Sequence, residues 1–158
     1  MKANARVQNG RIQFASSRAE AYFLEKAKGK ELVIIVDDAA SSNKRKYFEG
    51  AIIPAVFYQT PRSGWQNFKE CREALKLEFI PGWTKTTKGE RVKYSRSTTE
   101  LSNLAFGKFL EEITHWMVEQ GMEYPDPEEY KAWRDSAPPP GEVYPQLARL
   151  KQRYDEGI

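Results

Sequence analysis

Between Ser102 and Gly121 the apolar residues Leu104, Phe106, Phe109, Leu110, Ile113, Trp116 and Met117 recur at helical spacing, and no other stretch constrains the fold as much. Ser102 is a good N-cap, Leu101 before it and Phe106 in the next turn can close a hydrophobic staple, and Gly121 supplies a C-terminal stop. A helix with so wide an apolar face has to be buried, so the rest of the chain must supply partners for it. The first candidate partner is KRKYFEGAIIPAVFYQ, residues 44–59, where Tyr47, Phe48, Ala51, Ile52, Ala55 and Val56 share one face and Pro54 is expected to kink or split the helix. The second runs from about Trp65 to Phe79, with Phe68, Cys71, Leu75 and Phe79 at helical spacing and Pro81-Gly82 after it.

Other segments change period. Arg11-Ile12-Gln13-Phe14 alternates and reads as a short strand, followed by a helix capped by Ser16 or Ser17 and ended by Gly29. Residues 30–36 end in the continuous apolar run Leu32-Val33-Ile34-Ile35-Val36, the pattern of a central strand, closed by Asp37-Asp38. WTKTTKGERVKYSR, residues 83–96, has no helical period and reads as an exposed β-hairpin or a long ordered loop around Lys88-Gly89. Pro125-Asp126-Pro127 opens a short helix through Trp133, the Pro138–Pro140 run followed by Gly141 interrupts the chain, and residues 143–156 form a last charged helix. The expected class is therefore α+β, a small N-terminal sheet with a helical core in one domain. Residues 1–135 would form a mixed α/β domain, and 136–158 a Pro-rich linker and C-terminal helical tail.

Cys71 is the only cysteine and His115 the only histidine, which removes zinc fingers, disulfide frameworks, Cys-His pairs and Ser-His-Asp triads together. Both residues are expected to be packed inside helices. No Walker A, GxGxxG or GxSxG motif is present. The apolar runs fall short of a membrane span and the N-terminus lacks a signal-peptide pattern, so a cytoplasmic protein without cofactor or membrane is expected.

Charge is distributed unevenly. Residues 1–60 carry 10 Lys and Arg against 6 Asp and Glu, residues 61–100 carry 9 against 5, and residues 101–158 carry 6 against 11. The net +3 thus hides a basic first hundred residues, a hint of a polyanion-binding face. Two basic strips stand out. Lys44, Arg45 and Lys46 lie at the start of a helix, where cations oppose the helix dipole at about 0.3–1 kcal/mol each, and where phosphate is attracted both by side chains and by free backbone N–H groups. Lys85, Lys88, Arg91, Lys93 and Arg96 form the second strip, opposed within it only by Glu90. Trp83 and Tyr94 are interleaved, and cations that track phosphates beside rings that stack on bases suit single strands. Trp83 alone reads as a core residue beside Pro81-Gly82. Tyr94 is the expected base-stacking ring, and the two strips are expected to line one groove.

Three features in order resemble one family: VIIVDDAASSNKRKYFEGAIIP, a basic arm ending SRSTTELS, and FGKFLEEITHWMVEQGMEYPDP. Over roughly residues 30–130 the chain is similar to the NinB/Orf family of bacteriophage recombination proteins. The resemblance implies a homodimeric mixed α/β protein, not an enzyme, that binds single-stranded DNA without sequence preference and helps a recombinase load onto strands coated by the host single-strand-binding protein. The family's Gln-Asn pair before the basic helix falls either on Ser42-Asn43 or on Lys44-Arg45, and Ser97, Thr98 and Thr99 match its Ser-Thr-Thr stretch. Two alternatives stand beside this reading: a metal-dependent nuclease or junction resolvase using Asp37 or Asp38, and a protein-protein adaptor using the acidic C-terminal region.

Overall fold

A computed structural model describes residues 5–31, 42–61 and 64–157, the side chain of residue 6 excepted. The strand expected over 30–36, with Asp37 and Asp38, lies almost wholly outside the described residues. The protein is α+β, and the described residues form two separate two-stranded antiparallel sheets and a helical core. It divides into two compact units, residues 1–36 and 37–158.

In the first unit, strand β1 (Ala5–Gln8) pairs with β2 (Arg11–Phe14), and helix α1 (Ser17–Ala27) follows. Asn9 and Gly10 both have positive φ, 52° and 72°, as a two-residue hairpin turn of matching twist requires. That turn makes β1 the observed partner of β2. Ser16 caps α1 by accepting from the Ala19 N–H at 3.1 Å, and Gly29 beyond the helix has φ 69°.

The second unit holds the core. Helix α2 (Ser42–Tyr47), a π-helical turn (Phe48–Ile52) and α3 (Ile53–Gln59) form one helical run. The Ile53 N–H reaches the Phe48 carbonyl, five residues back. Pro54 lacks an N–H and its ring would strike the preceding turn of a regular α-helix, so the wider turn accommodates it without breaking the run. The run buries Tyr47, Phe48, Ala51, Ile52, Ile53, Ala55, Val56 and Phe57. Against it pack α4 (Phe68–Phe79), through Cys71 and Leu75, and α5 (Asn103–Glu119), through Phe106, Phe109, Ile113 and Met117. The Phe48 ring meets Phe106 and Phe109 edge-on at 6.0 and 5.1 Å between centroids. Helix α4 starts at Phe68, later than the expected Trp65, because the Asn67 side chain accepts from the Glu70 N–H at 3.0 Å and so fixes the cap.

Three expectations for α5 and its surroundings resolve clearly. Ser102 caps the helix by accepting from the Ala105 N–H at 3.1 Å, and Leu101 and Phe106 are both buried. Leu104, expected on the apolar face, is 71 % exposed. At about 100° per residue it points some 160° away from Phe106. His115 falls on that same outer side, so the expected packed imidazole is instead solvent-facing, 3.3 Å from Glu119.

Helix α6 (Pro127–Asp135) begins at an Asp126 cap that accepts from the Glu128 and Glu129 N–H groups. Tyr47 ties the segment before it to α2, its hydroxyl donating to the Pro125 carbonyl at 2.5 Å. The final helix, α7 (Pro145–Glu156), buries Leu147 and Leu150, and its Tyr154 ring lies 5.3 Å from Phe57 of α3. Residues beyond the proline run therefore pack on their own chain's core.

Candidate nucleic-acid interface

Strands β3 (Pro81–Lys85) and β4 (Arg91–Ser95) pair antiparallel, with Trp83 opposite Lys93, Gly82 opposite Tyr94 and Lys85 opposite Arg91. This is the hairpin expected from residues 83–96. Its turn is closed by the Gly89 N–H to the Thr86 carbonyl at 2.9 Å, with Gly89 at φ 82°, and Lys88 stands at the tip. Directly opposed residues share a face and neighbours along a strand alternate. One face therefore carries Trp83, Lys85, Arg91 and Lys93, and the other carries Thr84, Val92 and Tyr94. All four residues of the first set are exposed.

Trp83 is 52 % exposed and does not join the core as expected. A strand that leaves α4 at Ile80 carries it outward, and the Arg91 guanidinium, diagonal to it across the pair, lies over its ring at 4.7 Å. Tyr94 is placed differently. Its ring covers the backbone of buried Gly82 so closely that a Cβ at residue 82 would overlap it, although 49 % of Tyr94 remains exposed. The expected stacking ring and the cations thus sit on opposite faces of one hairpin.

The base of the hairpin is tied to α4. The Ser95 hydroxyl donates to the Glu73 carboxylate, which also accepts from Lys76 Nζ at 2.9 Å. Those two hydrogen bonds, the Ser95 one first, hold the Glu73 carboxyl below its ordinary pKa. Lys93 Nζ lies 3.8 Å from Glu78, and Arg96 Nε lies 3.7 Å from Glu100. Both contacts are long and solvent-exposed, the kind of ion pair worth little. Phosphate can compete for such cations.

The first strip is arranged otherwise. The helix is already formed at Ser42, so Lys44, Arg45 and Lys46 sit within it and not ahead of it. Lys44 Nζ donates to the Asn103 carbonyl at 3.0 Å and passes beside Gly107, where a Cβ would stand 3.0 Å from it. The Arg45 guanidinium lies 5.4 Å above the Phe106 ring. Both side chains fasten α2 to the start of α5 and are half-buried, and Lys46 alone of the three is exposed. Asn43, one candidate for the family's polar pair, accepts from Arg134 Nη2 at 2.6 Å. Ser97 and Thr99 hydrogen-bond each other at 2.7 Å around the short 3-10 turn Thr98–Glu100. Both strips meet the start of α5: Arg96 leads into it through residues 97–102, and Lys44 and Arg45 lie against its first turns.

Sequence reasoning missed Glu73 and Glu78, whose partners are far along the chain, and misplaced Trp83. Simple alternation counted from Gly82 would have separated Trp83 from Tyr94. Among the described residues no group of three or more His, Cys, Asp or Glu side chains is placed to hold a metal ion, and no helix is long and apolar enough to cross a membrane.

No family model matches the chain, and no curated protein matches it. A solved structure from structural genomics, described as NinB, is similar at 15 % identity and a TM-score of 0.41, covering 77 % of this chain and 98 % of that one.

Proposed function

We propose that this protein binds single-stranded DNA without sequence preference through the β3–β4 hairpin. The observation that carries the reading is the sorting of that hairpin into one cationic face, Lys85, Arg91 and Lys93, with Lys88 at the tip and Arg96 at the base. Such a face neutralises phosphates, and phosphate contacts carry no base information, so the proposed binding is tolerant of sequence. The resemblance of residues 30–130 to the NinB/Orf family supports a place in phage-type recombination, as a homodimer assisting recombinase loading on strands covered by the host single-strand-binding protein. Binding and not bond chemistry is the proposed role, since cations beside rings on an exposed hairpin suit holding a strand.

The test is a variant with Lys85, Lys88, Arg91 and Lys93 changed to Gln. It is expected to stay folded and to lose affinity for homopolymer and mixed-sequence strands alike. Parental affinity at low salt would refute the hairpin assignment. Labelled strands and four-way junctions incubated with magnesium should come through intact, whereas cleavage abolished by Asp37→Ala/Asp38→Ala would favour the nuclease.

A further inference from the structure

We propose that the Trp83 indole, with Arg91 over it, is the platform on which an unpaired base of the bound strand stacks, and that Tyr94 is not. The inference rests on the single-strand reading above and assigns the residue that makes it selective. Trp83 occupies the middle of β3 with half its surface in water, so its indole is accessible to a base. Arg91 orients the ring at 4.7 Å by a cation–π contact. Lys93 is its direct cross-strand neighbour, and Lys85 stands two residues on, about 7 Å along the strand. Cations therefore flank the ring on the face where a phosphate backbone would run, with the indole between them at the level of a base.

Tyr94 lacks these surroundings. It faces the other side, between Val92 and Gly82, and its ring shields a glycine backbone, the usual task of an aromatic paired across a strand from glycine. In a duplex the bases are already stacked and paired, so Trp83 would gain nothing from it and only phosphate contacts would remain. Selectivity for single strands would then reside in one side chain.

The experiment compares an oligothymidylate with an abasic oligomer of equal length and phosphate count, for the parent and for Trp83→Ala, Trp83→Phe and Tyr94→Ala, with melting temperature measured beside affinity. The parent is expected to bind the thymidylate at least about fivefold more tightly than the abasic strand, the lower end for loss of one stacked base. Trp83→Ala should abolish that ratio, Trp83→Phe should keep most of it with an unchanged fold, and Tyr94→Ala should keep the ratio while lowering the melting temperature. If both oligomers bind with equal, salt-sensitive affinity, or if Trp83→Ala retains the ratio, the platform is wrong and the hairpin reading survives. Absence of binding to either oligomer at low salt would overturn both.

Discussion

At Gly50, inside the π-helical turn, a single added methyl group would overlap the hydroxyl of Tyr130, which is only 7 % exposed and held among Tyr47, Trp133 and Tyr144. A side chain so enclosed cannot swing away. Gly50→Ala is expected to cost about 1–3 kcal/mol, as overpacking does, and Tyr130→Phe added to it should recover much of the loss by removing the clashing oxygen. Urea unfolding of the single and double variants checks this, and an undiminished midpoint in Gly50→Ala would show that α6 is not clamped there. Cys71 makes a second residue-scale case. It is completely buried, and burial pushes its thiol up to about 12. The thiolate is the reactive form, so the folded protein should be inert to a thiol reagent at about pH 8 and react only when denatured. Prompt reaction in buffer would contradict the packing of α4 on α3.

For the elements, the decisive contact is between β4 and α4. Hydrogen bonds from Ser95 and Lys76 lower the Glu73 pKa, so the stabilisation they give is complete above the ordinary carboxylate range and is lost as pH falls through the lowered folded value. Ser95→Ala is expected to return the Glu73 titration, followed by carboxyl NMR, toward its ordinary value and to loosen the hairpin's protection from amide exchange. An unmoved titration would mean that Ser95 does not hold the carboxylate. Elements with strong local signals were legible in the sequence: the Ser102 cap, a serine cap at 16 or 17, the helix opening at Pro125-Asp126-Pro127, the Pro54 disturbance and the hairpin around Gly89. The β1–β2 hairpin was not legible as such although Asn9-Gly10 is among the strongest turn signals, because the apolar run at 32–36 offers a competing partner for β2. Leu104 and His115 were misplaced by accepting apolar or helical company as burial, where their angle around α5 decides. For the candidate site, the basic composition of residues 85–96 was legible. Which face each side chain takes depends on register, and which cations are engaged by α5 or α4 depends on packing between distant segments.

On the scale of the whole molecule, the C-terminal helix closes on its own chain, with Leu147 and Leu150 buried and Tyr144 stacked edge-on with Tyr130 and Trp133. The homodimer stands as a proposal from the family resemblance alone. Sedimentation equilibrium should give a dimer, formed without exchange of α7, whereas a monomer at tens of micromolar would weaken the proposed recombination role without touching the hairpin. Lys44 and Arg45 fasten α2 to α5, so Lys44→Ala/Arg45→Ala should lower the melting temperature more than Lys46→Ala does. The central claim is that the cationic, Trp-bearing face of the hairpin holds a single strand, and it is tested most directly by measuring affinity for single-stranded and duplex DNA of equal length across a salt series. With three to five phosphates engaged, the log-log slope on the single strand should be roughly −2 to −3.5, with the single strand bound more tightly than the duplex at every salt concentration. A slope near zero, or equal affinity for the duplex, would contradict the account.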